Sequence, residues 1–307
     1  MFRELDPDAR ELLGVIAFFP LGVDVDWLLP ALSNGTNIFD NFCILSLTYR
    51  GDGFITMLAP LRDYLCPEDP MSSRLLCTTK DHYLTRLSSN VVPGKPGFKE
   101  ARWIRSEDMN IEHLLDVFTT IDANSEDIWN ACNGFMNHLC WHKPRLVVLG
   151  PKIEGLPDDH SSKPQCLFTF SRLFDLVGNH LETKRLLIHT LKLWRERRDE
   201  PRVVRALVFL AQTNRVLDLR KEGIQQAEEA MEICERLGDT VGQSQSLQSR
   251  LFDSHPPSFL CTLSRMLFPL PTSPAYAHHS MVVPLSVVGP HPMLLCLWCC
   301  IRFACVP

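Results

Sequence analysis

His138, Cys140 and His142 form an H-x-C-x-H pattern of metal-ligating types. Zinc needs about four nitrogen, sulfur or oxygen donors converging tetrahedrally. On a helix the two histidines, four residues apart, share a face, but Cys140 projects from the opposite side and no fourth ligand lies nearby. The pattern predicts ordinary histidines at a half-buried helix end, and no metal. Phosphate chemistry lacks its loop as well. A G-x-x-x-x-G-K-[ST] cradle rings phosphates with backbone amides and a lysine and holds magnesium on a hydroxyl. Gly94-Lys95-Pro96-Gly97 and Gly150-Pro151-Lys152 have neither that spacing nor the hydroxyl. Asp158-Asp159-His160 offers carboxylates to a cation, yet it sits in a Gly- and Pro-rich stretch and reads as a solvated loop. Serine, histidine and aspartate occur without a nucleophile-elbow setting. Lys192–Arg198 is locally basic, but at a helix end it complements the helix dipole. These readings predict no enzyme active site and no cofactor.

The elements that could position a site begin with composition. The chain has 307 residues, 45% apolar and 22% charged, with a formal net charge of -5. This is ordinary for a globular protein and gives no electrostatic reason to expect nucleic acid. The first residues, MFRELDPDARELL, are charged and carry no signal-peptide pattern. The cysteines before residue 251 are scattered singly, as expected of reduced thiols in a cytoplasmic protein.

Residues 254–307 follow other rules. They hold Arg265 and Arg302, no acidic residue, nine of the 22 prolines and five of the 12 cysteines. Without those two arginines the rest of the chain has 29 basic against 36 acidic residues, a net of -7. Met281–Val306 is apolar, but Pro284, Pro290 and Pro292 leave Met293–Ile301 as the longest clean run, too short to span a bilayer. Cys296-Leu297-Trp298-Cys299-Cys300 resembles a metal knuckle without a second ligand pair. The expected reading of 251–307 is a disordered or spurious tail, such as intron read-through or a frameshift, because natural surfaces need charge.

Along the body, Asp6 and Pro7 predict a helix start, with Leu12, Leu13 and Ile16 at helical spacing before Pro20 and Gly22. Helices are expected over Val25–Leu32 and Thr36–Ile44. Leu45–Tyr49 and Phe54–Met57, around Gly51-Asp52-Gly53, predict a β-hairpin, and a short helix follows over Leu61–Cys66. This order predicts a winged-helix-like domain over 1–70. Its wing, Arg50-Gly51-Asp52-Gly53, carries one charge of each sign and gives DNA no purchase. A helical spacer is expected over 71–162. Within it, Ser106-Glu107-Asp108 opens a helix with stripe Ile111, Leu114, Leu115 and Phe118, and Ser125-Glu126-Asp127 opens one burying Ile128, Cys132, Phe135, Met136 and Leu139. Val92–Gly97 and Gly155–Pro164 read as loops.

From 163 to 250 the sequence repeats at forty residues. Val177–Asp199 lies over Leu217–Asp239, with Glu182, Leu193 and Asp199 matching Glu222, Ile233 and Asp239. Leu167, Phe170 and Ser171 lie over Leu207, Leu210 and Ala211 in a large, large, small pattern that resembles the tetratricopeptide (TPR) repeat. Thr183 and Gly223, then Thr190 and Ala230, take the small positions of the second helix. A third repeat starts at Leu247 and fails at Arg250. The fold class expected is therefore mainly α: a winged-helix-like unit, a helical spacer and an α-α TPR-like superhelix with two full repeats and a truncated third.

ARELLGVIAFFPLGVDVDWLLPAL, FCILSLTYRGDGFITMLAPLRDYLCPEDP and WHKPRLVVLGPKIEGLPDDHSSKPQCL together resemble fungal STAND-type signalling NTPases of the NB-ARC/TPR kind, over roughly residues 5–248. The resemblance implies a nucleotide-binding domain, a winged helix, a spacer and TPR-like repeats acting as a ligand-sensing switch. The chain as given begins after the nucleotide-binding part. The family's winged helix often ends in Met-His-Asp, whose histidine contacts the ADP phosphate. Here Met57 is followed by Leu58, which cannot donate that hydrogen bond. The expected function is a non-catalytic interaction module. The alternative is the regulatory half of a larger ATP/ADP-switched NTPase. By repeat phase, the partner-binding groove is expected at Phe168, Arg172, Val208, Gln212 and Arg215. The partner would be another protein or the parent NTPase module. No nucleic acid, metal or membrane partner is expected, while an exposed repeat edge would favour self-association.

Overall fold

The computed structural model describes residues 5–24, 28–32, 35–45, 47–51, 54–65, 73–90, 102–239, 242–243 and 245–247. All of them fall within one compact unit that ends at Pro256. The described residues are mainly helical, with one small antiparallel sheet.

Helix α1 (Pro7–Phe18) starts where Asp6 and Pro7 predict. It buries Val15, Ala17 and Phe18 besides the expected Leu12, Leu13 and Ile16, so it runs through the core instead of lying on it. Of the next predicted helix, Val25–Leu32, the described residues show Leu28 helical, followed by a 3-10 turn at Leu29–Ala31. Pro30 removes an amide there, which a longer helix would have needed. Helix α2 (Gly35–Ile44) follows.

Strands β2 (Thr48–Gly51) and β3 (Phe54–Met57) form the expected hairpin, with Thr48 opposite Met57 and Gly51 opposite Phe54. The hairpin begins later than predicted, because Leu45 is spent on the turn after α2 and is left exposed. A third strand, β1 (Val23–Asp24), pairs with β3 on its other side and gives the order β1-β3-β2. Gly22 enters β1 at φ 85°, and a side chain there would collide with the Ile55 backbone. Only glycine fits that approach.

Helix α3 (Ala59–Leu65) is followed by α4 (Arg74–Asn90), α5 (Arg102–Ser106), α6 (Asp108–Ile121), α7 (Glu126–His142) and α8 (Gly150–Gly155). The stripes predicted for α6 and α7 are buried residue for residue. The expected Val92–Gly97 loop and the tail from 251 lie outside the described residues. The first helices are tied to distant ones by polar side chains. Glu11 on α1 accepts from the amides of Arg74 (3.3 Å) and Leu75 (3.1 Å), so its carboxylate caps α4. Asn110 on α6, fully buried, donates to Gly22 O (2.7 Å) and accepts from Leu21 N (3.0 Å), clamping the turn into β1.

Helices α9 (Lys163–Leu176), α10 (His180–Glu196), α11 (Glu200–Val216) and α12 (Arg220–Leu237) stack in sequence order. Their ends keep a twenty-residue beat. Gly178, Arg198, Asp218 and Gly238 all take positive φ, at 84°, 56°, 59° and 68°. Each closes its helix with the same pair of bonds, such as Gly178 N to Asp175 O (3.0 Å) with Asn179 N to Phe174 O (2.8 Å), and Asp218 N to Arg215 O (3.0 Å) with Leu219 N to Asn214 O (2.8 Å). This is the Schellman closure, which favours glycine. The forty-residue sequence repeat is thus two turns of a shorter structural beat. Arginine and aspartate at two of the four closures conceal that beat from a reader of the sequence.

The residue after each closure opens the next helix. Asn179, Asp199 and Asp239 each accept from the amide three residues on, while Leu219 makes no side-chain cap. The small residues do the packing expected of them. Ser171, Thr183, Thr190, Ala211, Gly223 and Ala230 are all buried. Their hydroxyls bond back to their own helix, as Thr190 Oγ1 does to Leu186 O (2.8 Å), so none of these hydroxyls is stranded.

The core is divided. One cluster runs from α1 to α9 with Leu186 and Leu193 of α10, and another joins Phe168 to α10, α11 and α12.

Candidate functional site

Helices α9 and α11 are alternate members of the stack, and between them lies an open groove of about 280 Å³. It is lined by Phe168, Arg172, Arg205, Val208, Phe209, Gln212 and Gln245. Six of these seven are three pairs of repeat equivalents, forty residues apart: Phe168 with Val208, Arg172 with Gln212, and Arg205 with Gln245. The groove is a product of the repeat, since equivalent positions of stacked helices must face the same way.

Phe168 forms the floor. Its ring meets Trp194 at 5.2 Å and the edge of Phe209 at 5.9 Å between centroids. Arg205 lies over Phe168, with its guanidinium carbon 5.3 Å from the ring centroid, a cation–π distance. Arg172 donates from Nη1 to Asn137 Oδ1 (3.1 Å), and Asn137 is itself anchored to Asn133 O (3.0 Å) on α7. The helix before the stack therefore aims a groove side chain. Partial desolvation, followed by the like charges of Arg172 and Arg202, pushes the Arg205 guanidinium below its ordinary value. It remains exposed and charged.

Four of the five residues expected from repeat phase, Phe168, Arg172, Val208 and Gln212, line this groove together. Arg215 does not. It shares a face with Val208, but it sits in the last turn of α11, about 4.5 Å further along the axis than Gln212. Its repeat equivalent, Asp175, likewise serves a helix end, its carboxylate accepting from His180 Nδ1 at 3.0 Å. Repeat phase set the angle around the helix correctly and missed the groove's length. Arg205, Phe209 and Gln245 were missed. Arg205 and Gln245 could have been found by extending the forty-residue register one turn toward the N-terminus.

The other chemistry-bearing residues are engaged elsewhere. The rings of His138 and His142 meet at 4.3 Å, while Cys140 Sγ points away to Thr169 O at 4.0 Å. Burial, then His142 and Arg105, pushes His138 down to about 4, and burial pushes the Cys140 thiol up to about 11 and Cys166 to about 12. Such thiols stay protonated and unreactive near neutral pH. Among the described residues no group of three or more His, Cys, Asp or Glu side chains is placed to hold a metal ion.

Lys152 Nζ is bound to Asp116 Oδ1 (2.5 Å) and Thr120 Oγ1 (2.6 Å), and Gly150 leaves room for the Phe170 ring. Asp158 accepts from the buried Lys163 Nζ (2.7 Å), whose hydrogen bond holds its carboxyl below the usual range, and meets His189 at 3.2 Å. Arg197 donates to the carbonyls of Asp158, His160 and Ser161, and Arg195 pairs with Glu229. The acidic loop and the basic run thus lock onto each other's neighbourhood. Leu58 is 56% exposed. Among the described residues no helix is long and apolar enough to cross a membrane.

Compared with known proteins, the sequence matches no family model, and no curated protein is similar enough to count as a relative.

Proposed function

We propose that this chain is a non-catalytic protein-interaction module whose α9–α12 stack is a pair of TPR-like repeats docking a partner segment in the Phe168–Gln212 groove. In this reading the first seventy or so residues are a winged-helix-like unit, α4–α8 a helical spacer, and the whole a regulatory part of a STAND-type signalling protein. The observation that carries it is the convergence of repeat-equivalent side chains on one open, half-apolar surface. A repeat uses such a surface to bind along its length. A regulatory role fits a surface that offers recognition without nucleophile, base or metal.

The test is site-specific photo-crosslinking in the native host. A benzophenone side chain at Gln212 samples the groove, and the same probe at Leu181, 71% exposed on α10, samples a face outside it. The expected result is a discrete adduct from Gln212 alone, abolished by Val208→Lys in a chain that keeps its helical circular dichroism, a control required because Val208 is only 8% exposed. Equal adducts from both positions, or none from Gln212, would remove the groove as the docking surface.

A further inference from the structure

The charges that line the groove are of one sign. Outside it, many basic side chains are paired with carboxylates: Lys184 with Glu222, Arg185 with Glu154 and Glu182, Arg202 with Asp199, Arg236 with Glu200. Inside it, Arg172 and Arg205 are the charged lining residues, and no carboxylate lines the groove with them. Among the described residues Arg172 has a neutral amide for its partner and Arg205 an aromatic face. The chain as a whole carries a net charge of -5 and has acidic residues to spare. Two guanidiniums close enough to repel each other, with no carboxylate in the lining and Asp199 acting on Arg205 only from outside it, form a site that an anion completes.

The remaining lining selects among anions. Phe168 and Val208, 5% and 8% exposed, and the half-buried Phe209 present a small apolar area beside the guanidiniums, and Gln212 and Gln245 carry amides able both to donate and to accept. A bare phosphate would use the charges and waste the apolar surface. An extended peptide uses all three: carboxylates on the arginines, an apolar side chain against the rings, backbone amides on the glutamines. The chain's own residues 254–307 contain no aspartate or glutamate and lack the complementary side chains.

We propose that the groove recognises an acidic peptide segment of a partner protein, with carboxylates on Arg172 and Arg205 flanking an apolar residue seated on Phe168, Val208 and Phe209. This rests on the docking reading above and specifies its ligand.

The experiment uses the full chain and synthetic decapeptides with apolar residues set among glutamates, each matched by versions with glutamine or lysine in place of glutamate. Affinity is read by fluorescence anisotropy at low and high salt. Glutamate peptides are expected to bind roughly tenfold or more tightly than their glutamine counterparts, with the preference shrinking as salt rises. The double variant Arg172→Gln, Arg205→Gln is expected to lose the preference. Arg172→Glu, Arg205→Glu is expected to reverse it toward the lysine peptides, a gain that an unfolded protein cannot produce. Charge-blind binding that Val208→Lys abolishes would overturn the acidic ligand and leave the docking groove standing. No binding to any peptide would count against both. Displacement of bound peptide by inorganic phosphate at comparable concentration would reassign the site to a phosphoanion and overturn the peptide.

Discussion

The N-terminal region and the α9–α12 stack reach order by opposite routes. In the former, the turn into β1 is held by Asn110, some ninety positions away, and the start of α4 by Glu11. In the latter, each helix C-terminus is closed by groups within five residues, and the same pair of closing bonds recurs four times. Long-range polar clamps make the first region cooperative, whereas local closures and nearest-neighbour packing make the stack additive. The groove inherits this property, since its positions are fixed by a register rather than by one irreplaceable residue.

The sharpest way to break the contrast is Asn110→Ala. It strands the buried Gly22 carbonyl and leaves the Leu21 amide without its partner, and should cost about 2 kcal/mol. Hydrogen exchange should show the loss in β1–β3 and α6, with protection in α11 and α12 unchanged. Equal loss in both regions would mean that the stack is not additive.

A similar effect is expected from pH at the junction of the regions. His138 sits near 4 when folded, against an ordinary value of 6.5, so the unfolded chain binds its proton more readily. Stability is fully present above pH 6.5, falls as the pH drops, and levels off below 4, by about 1–3 kcal/mol in all. Thermal melts across this window should show the decline in the native chain, with His138→Gln flatter. Parallel curves would exonerate the histidine.

Within the stack the closures predict smaller effects. Gly178→Ala forces a side chain into the left-handed region and should destabilise by about 1 kcal/mol, while Arg198→Gly and Asp218→Gly should each stabilise by roughly 0.5–1 kcal/mol. Melting temperatures that fail to move in opposite directions would show that the closures do not limit stability. Smallest of all, Lys184→Gln should change stability by less than about 0.5 kcal/mol, because the Lys184–Glu222 pair is surface-borne and water-screened. A loss above 1 kcal/mol in urea titration would make ion pairs, and not small-residue packing, the cement between repeats.

This difference also governs what could be read from the residues. Ile111, Leu114, Leu115 and Phe118 announce their buried face by spacing, and Phe168, Arg172, Val208 and Gln212 announce the groove by register, because helical period and repeat period are local quantities. The caps at Asn179 and Asp199 are equally local. Strand β1 was invisible, since two residues carry no period and pair only because β3 offers an edge. The twenty-residue beat was obscured because Arg198 and Asp218 stand where a left-handed closure favours glycine.

By itself, then, the sequence determined the helices, their inward faces, the hairpin and the angular positions of the groove, each a consequence of interactions spanning a few residues or one repeat. Tertiary structure alone decided where the groove ends, which excludes Arg215. It also decided which basic side chains lie without carboxylates, and that Asn110 and Glu11 serve distant backbone. Those outcomes depend on distances between segments far apart in the chain, and no local pattern encodes such distances.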